Sequence, residues 1–275
     1  MLISTAYLQS FREIFSLLTT YKALTWEMAK REITDRYRGQ VLGLLWTILH
    51  PLVLIGVYIF VFVIVFKIKI GGTREMPLDY TAYLLSGLIP WMTVQDIMSK
   101  ASTSITSNAN LVKQVVFPIE ILPIKSVLAS LFTQVVFFTI LIIYVVATQR
   151  TLPFTYVLLP LLIFLQLIGM AGISYTLASI GVYLRDLKDI VQVFTAIGVY
   201  TMPIFYLPDQ VPDIFRLILY LNPFSYLIWC YQDTLYFGRF DHPWAWIILI
   251  TFSHFSLTFG YKIFQTLKLK FGNVL

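Results

Sequence analysis

Few residues in this chain have the type and spacing to do chemistry. His50, His242 and His254 lie far apart, and none has a carboxylate or cysteine at metal-ligand spacing. His50, just before Pro51, reads as a packed or hydrogen-bonded residue. Cys230 is the only cysteine, which excludes an internal disulfide and a cysteine-based metal cluster. Asp186 and Asp189 alternate with Arg185 and Lys188, so those four pair with each other or with a partner. Asp96 and Lys100 stand one helical turn apart, and Glu120 sits between Pro118 and Pro123. All three fall at the ends of apolar runs, whereas a proton or sodium relay needs acids in the middle of a membrane. Gln134 and Gln166 are the main uncharged polar groups deep in apolar runs, where they suit helix–helix hydrogen bonding. No G-x-x-x-x-G-K-[ST] phosphate loop occurs, so any driving nucleotide is bound by another polypeptide. A membrane-embedded glycosyl or acyl transferase would need a convergent acidic or histidine site, and none is present.

Aromatic residues are more informative. They make up 16% of the chain, as 22 Phe, 17 Tyr and 6 Trp. Trp26, Trp91, Trp244 and Trp246 suit interfacial belts. Tyr58, Phe62, Tyr83, Tyr200, Phe205, Tyr206, Tyr220, Phe224 and Tyr226 fall within apolar runs or in the segment that follows Pro203. Aromatic faces stack on the C–H surfaces of sugars, and tyrosine hydroxyls can bond sugar hydroxyls. These nine are therefore candidate linings of a glycan channel.

The elements that must position these residues are membrane helices. Hydrophobic residues make up 58% of the chain and charged residues 12%, against about 45–50% and about 25% in soluble domains. Lipid is the solvent for much of that surface. The net charge of +6 comes without a solvated basic block that could grip phosphates, so nucleic acid is not a partner. The N-terminus has no basic region ahead of a short apolar core, and a cleaved signal peptide is not expected.

Six apolar stretches run at about 42–66, 80–100, 124–147, 155–182, 190–207 and 244–266, each near the ~20 residues needed to cross a bilayer. Ahead of them, Phe11, Ile14, Phe15, Leu18, Tyr21, Leu24 and Met28 recur at helical spacing. The charged residues Arg12, Glu13, Lys22, Glu27, Lys30 and Arg31 fill the other face. Residues 1–40 thus form an amphipathic helix in the interface plane, followed by a basic segment, and 41–275 form the membrane domain. With the N-terminus cytoplasmic, that side holds fourteen of the 20 basic residues, and both termini lie there. Between spans five and six, the pieces 214–221 and 224–231 are too short to cross and are separated by Asn222-Pro223. They read as a re-entrant helical hairpin over about 209–237 whose turn faces a cavity. The fold class is all-α integral membrane.

Arg36-Tyr37-Arg38-Gly39, then Leu42-Gly43, Trp46 and Pro51, resemble the membrane subunit of polysaccharide ABC exporters, which are ABC-2 type permeases. The resemblance continues through YLLSGLIPWMTVQDIMSKASTSI, NANLVKQVVFPIEILP, SIGVYLRDLKDI, MPIFYLPDQVP and LNPFSYLIWCYQDTLY, and so spans essentially the whole chain. It implies a permease subunit exporting a lipid-linked polysaccharide of the O-antigen, capsule or teichoic acid class. An ABC-2 permease for a drug, lipid or small glycoconjugate is the alternative. It implies two copies of this chain, two separate ATPase subunits that hold ATP and magnesium, and no cofactor or metal on this chain. Residues 110–118 correspond to the coupling helix. ATPase contacts then fall on Lys22, Glu27, Arg31, Asn110, Leu111, Val112, Lys113, Gln114, Phe117, Pro118 and Glu120. A cytoplasmic gate or substrate entry falls on Arg36, Tyr37, Arg38 and Trp46.

Overall fold

The computed structural model describes residues 12–35, 39–67, 77–114, 117–150 and 152–275, and among them there are helices and turns but no strands. Residues 12–20 are helical and lead into α1 (Lys22–Asp35). Next come α2 (Trp46–Tyr58), α3 (Tyr80–Thr103), the short α4 (Ala109–Gln114), α5 (Ile121–Gln149) and α6 (Leu159–Tyr183). After them lie α7 (Leu187–Gly198), α8 (Asp213–Leu221), α9 (Pro223–Gln232), α10 (Pro243–Leu267) and α11 (Phe271–Val274). A 3₁₀ turn at Gly43–Leu45 precedes α2, and π-helical turns extend α2 over Ile59–Val65 and α9 over Asp233–Phe237.

Four helical stretches are long and apolar enough to cross a membrane: Gly43–Val65, Ile121–Gln149, Phe154–Tyr183 and Pro243–Lys270. They coincide with the first, third, fourth and sixth expected spans. The second expected span is α3, a 24-residue helix that carries Gln95, Asp96, Ser99 and Lys100 at one end and is buried along most of its length. The fifth expected stretch, 190–207, differs. Its helix α7 has 12 residues and stops at Gly198, and the chain then runs irregularly to Leu207. Twelve residues rise only about 18 Å, short of the ~30 Å hydrocarbon core. The local chemistry explains the break. Pro203 brings no N–H to a helix, and a Cβ on Gly198 would lie 2.5 Å from the Trp91 ring, which already fills that space.

Small residues set the tightest packing. A Cβ on Gly172 of α6 would fall 2.1 Å from the Ser256 backbone, and one on Gly260 of α10 would fall 2.0 Å from the Gly172 carbonyl oxygen. The Ser256 hydroxyl donates to the Gly169 carbonyl oxygen at 2.8 Å across the same crossing. Such backbone proximity is how helices associate in lipid, where no hydrophobic effect drives them together. Gly181 brings α6 equally close to α3, 2.0 Å from the Ser102 carbonyl oxygen by the same measure. Gln134 donates to Gln166 at 2.7 Å, as does the Tyr231 hydroxyl at 2.5 Å, joining α5, α6 and α9 through one buried network.

Asn222-Pro223 makes a sharp corner for physical reasons. The Asn222 side chain accepts from the Phe224 N–H at 3.0 Å as an N-cap, and Pro223 starts α9 at the position where a missing N–H costs nothing. The bend between Asp213–Leu221 and Pro223–Phe237 is 90°. Gly238, at φ +67, closes the π-helical turn in the left-handed region.

Candidate functional site

One face gathers the residues expected to meet a cytoplasmic partner. Ile14, Leu18 and Met28 from the N-terminal helices pack on the same apolar cluster as Val112 and Phe117. Tyr175, Phe264 and Phe271 lie at the heart of that cluster. The N-terminal helices and the α4 segment therefore share one end of the protein. Lys22, Glu27, Arg31, Asn110, Leu111 and Lys113 are exposed there, Gln114 closes α4, and Val112, Phe117 and Pro118 are half-buried. Phe117 thus has an anchoring contact inside the protein, which the sequence did not show. On exposed α1, Lys30 donates to Glu27 at 2.9 Å, and this ammonium holds the Glu27 carboxyl below its usual range.

Glu120 turns inward. It lies 2.7 Å from the Lys268 ammonium, and Gln265 donates to it at 3.3 Å, so it ties the turn before α5 to the end of α10. Lys125 of α5 pairs with Glu32 of α1 at 2.9 Å, with both groups largely shielded. Breaking a shielded pair by deleting one partner costs far more than losing a surface pair. These two ion pairs tie α1 to α5, and the turn before α5 to the end of α10. Trp46 is half-buried at the start of α2. Arg36, Tyr37 and Arg38 lie outside the described residues, as do residues 115 and 116 of the expected coupling segment.

The nine candidate channel aromatics fall into three groups. Phe205 stacks on Phe62 at 4.5 Å between centroids and also meets Tyr58 at 5.3 Å and Tyr200 at 5.6 Å. The Tyr206 hydroxyl donates to the Tyr200 carbonyl at 2.7 Å. Tyr83 is fully buried, its hydroxyl 3.0 Å and 2.9 Å from the carbonyl oxygens of Pro203 and Tyr206. Tyr80 donates to the Phe205 carbonyl at 3.0 Å, and Gln232 to the Pro203 carbonyl at 2.6 Å. Irregular backbone within a membrane needs such partners, because each unpaired carbonyl there costs several kcal/mol. Tyr83 therefore secures the 199–207 segment.

Tyr220 and Tyr226 form a second group with Trp229 and Trp244, with centroids 5.5–5.9 Å apart, and Trp229 stacks on His242 at 5.4 Å. The Tyr226 hydroxyl donates to the Tyr220 carbonyl, which holds the Asn222-Pro223 corner closed. Phe224 stands apart, buried against Trp91, Phe194 and Phe252.

Asp233 is a residue that sequence reasoning missed. Almost wholly buried, it accepts from the His242 backbone N–H at 3.1 Å and the Trp246 indole at 3.2 Å, and its other oxygen lies 2.8 Å from His242 Nδ1. An acid inside the apolar run after Cys230 was the available signal. Its partner lies nine residues on, across the Gly238 turn. No group of three or more metal-ligating side chains occurs among the described residues.

Comparison with known proteins adds to this geometry. The sequence model of a family described as ABC-2 type transporter matches residues 23–236. The O-antigen export system permease protein RfbA of Klebsiella pneumoniae is 26% identical over 250 residues, covering 90% of this chain and 93% of the relative. RfbA of Myxococcus xanthus is 27% identical over 257 residues, covering 93% and 96%. The polysialic acid transport protein KpsM of Escherichia coli is 22% identical over 242 residues, covering 86% and 90%.

Proposed function

The chain belongs to the ABC-2 type transporter family, and from that premise we propose that it is the membrane-spanning permease of an ATP-driven polysaccharide exporter in the cytoplasmic membrane. The observation that carries this reading is the near-complete, two-way coverage of permeases named for O-antigen export, supported by a polysialic acid transporter. The cargo is a lipid-linked chain of the O-antigen or capsule class.

In this reading the chain crosses six times. α3 supplies the second crossing, and α7 with residues 199–207 supplies a broken fifth. α8 and α9, bent by 90° at Asn222-Pro223, dip in from the outer side and return, which leaves both termini cytoplasmic. Two copies enclose the path. The apolar surface that this chain leaves uncovered on α2 and α7, including Val57, Phe60, Ile64, Ile190, Val193 and Ile197, suits that arrangement. Tyr58, Phe62 and Tyr200 sit at its margin.

ATP and magnesium belong to a separate ATPase subunit, present twice. It binds the exposed face of α1 and α4 through Lys22, Glu27, Arg31, Asn110, Leu111 and Lys113. Closure of the ATPase pair pushes that face. The Glu32–Lys125 and Glu120–Lys268 pairs pass the displacement to α5 and α10. An ATP-driven equilibrium between two states of the membrane helices is thus biased from outside this chain.

The reading is tested by purifying the full chain with its ATPase and reconstituting the complex in lipid vesicles. Added lipid-linked polysaccharide raises ATP hydrolysis, and Lys113→Glu with Leu111→Asp abolishes co-purification. A chain that hydrolyses ATP alone, or a complex that survives both substitutions, contradicts it.

A further inference from the structure

α4 is a helix of six residues, too short to hold its own shape in water, so its position is set by what it packs on. The turn that leads into it is fixed by side chains. Ser107 donates to the Thr103 carbonyl at 2.8 Å, and Asn108 to the Ser104 carbonyl at 2.8 Å. Beyond that turn, α4 packs chiefly on α11 rather than on a long apolar helix.

α11 has only four residues, and Phe271 holds it in place. The side chain is fully buried, its ring edge-on to Phe264 of α10 at 5.6 Å and 6.3 Å from the ring of Tyr183 at the end of α6. The Tyr183 hydroxyl donates to the Leu267 carbonyl at 3.4 Å, just ahead of the turn into α11. Leu275 packs on the same apolar cluster as Val112 and Phe117. The other end of the coupling segment meets this stretch of chain too, since Glu120 accepts from Lys268 at 2.7 Å and from Gln265 at 3.3 Å. Residues 264–275 therefore touch both ends of 109–120 and leave Leu111 and Lys113 exposed.

We infer that residues 264–275 seat the coupling segment, and that Phe271 is the positioning residue that sets where α4 stands. The inference rests on the export reading, in which the ATPase pushes on α4. That push reaches α10 through α11, and α10 crosses α6 where Gly172 and Gly260 leave no room for a methyl group. Replacing a buried ring by a methyl group leaves a hole that neighbours fill only in part. Without the ring, α11 is released and α4 loses what it leans on.

The test uses the full-length chain in lipid nanodiscs. Phe271→Ala speeds hydrogen exchange at 109–114 at least about tenfold, a local opening that leaves exchange at 169–176 and 253–260 unchanged. Phe271→Leu keeps most of the protection. Lys268→Gln leaves the ring in place and speeds exchange at 109–114 about threefold, which decides the matter should Phe271→Ala not be recovered folded. The second readout adds the ATPase. The Phe271→Ala complex is still recovered and still hydrolyses ATP, but lipid-linked polysaccharide no longer raises its rate, and Phe271→Leu regains the rise. Unchanged exchange at 109–114, faster exchange spread through the α6–α10 crossing, or a full polysaccharide response in Phe271→Ala overturns the inference. A wild-type complex that ignores lipid-linked polysaccharide counts instead against the export reading, and exchange then decides the seat alone.

Discussion

α6 and α10 cross with backbone against backbone, whereas α2 runs through the apolar layer almost uncovered. More than half of the stretch that contains α6 is buried inside the protein, and almost none of the α2 stretch is. Gly172 and Gly260 have no room for a methyl group, while Gly56 of α2 has nothing within 4 Å of where one would go. One region is a fixed scaffold. The other is a surface that this chain leaves uncovered, so a shift there unpacks little of its core. An exporter driven from outside needs both: a rigid part to receive the push, and a part that yields.

The sharpest way to break this contrast is to make one substitution in both regions. Gly260→Ala forces a Cβ into the Gly172 carbonyl and destabilises by about 1–3 kcal/mol or more. Gly56→Ala instead gains up to about 1 kcal/mol of helix propensity. Thermal unfolding followed by size-exclusion chromatography gives both signs, and equal effects would erase the distinction.

Next in size, Lys125→Ala leaves Glu32 shielded and unpaired and loosens α1, at a cost of about 3 kcal/mol. Cleavage of residues 12–35 by trypsin under native conditions rises, and Glu32→Ala added to Lys125→Ala restores part of the protection. Smaller again, Tyr83→Phe removes the hydroxyl that secures the Pro203 and Tyr206 carbonyls, costing about 1–3 kcal/mol. Hydrogen exchange at 199–207 then accelerates while α6 and α10 are unchanged. Phe60→Ala, on the uncovered face of α2, has the least effect on folding, within about 0.5 kcal/mol. It weakens association of two copies, read as a shift toward monomer in detergent.

The contrast between these regions was only half legible in the sequence. Apolar length alone marked Gly43–Val65, Ile121–Gln149, Phe154–Tyr183 and Pro243–Lys270, because lipid imposes the same ~20-residue rule on every crossing. Asn222-Pro223 announced its corner, since capping and the proline act within three residues. The fifth stretch, 190–207, read as a plain span because apolar length alone does not tell where a helix stops, and Pro203 was weighed only as a kink within it. Glu120 looked like a surface contact, and its partner Lys268 is 148 residues on. The Gly172–Gly260 crossing was missed for the same reason: small residues are visible in a sequence, but their pairing is not. Of the aromatic candidates, Tyr83 and Phe224 carry the type expected of a channel wall. Their burial and the hydrogen bonds of Tyr83 tie them to the scaffold, a distinction set by packing and not by residue type.

The most direct test of the export account is the cell surface itself. In cells from which this chain is deleted, surface polysaccharide is lost and lipid-linked polysaccharide accumulates on the cytoplasmic face, and the full-length chain restores display only together with an active ATPase partner. Normal surface polysaccharide in the deletion, or restoration with a catalytically dead ATPase, contradicts it.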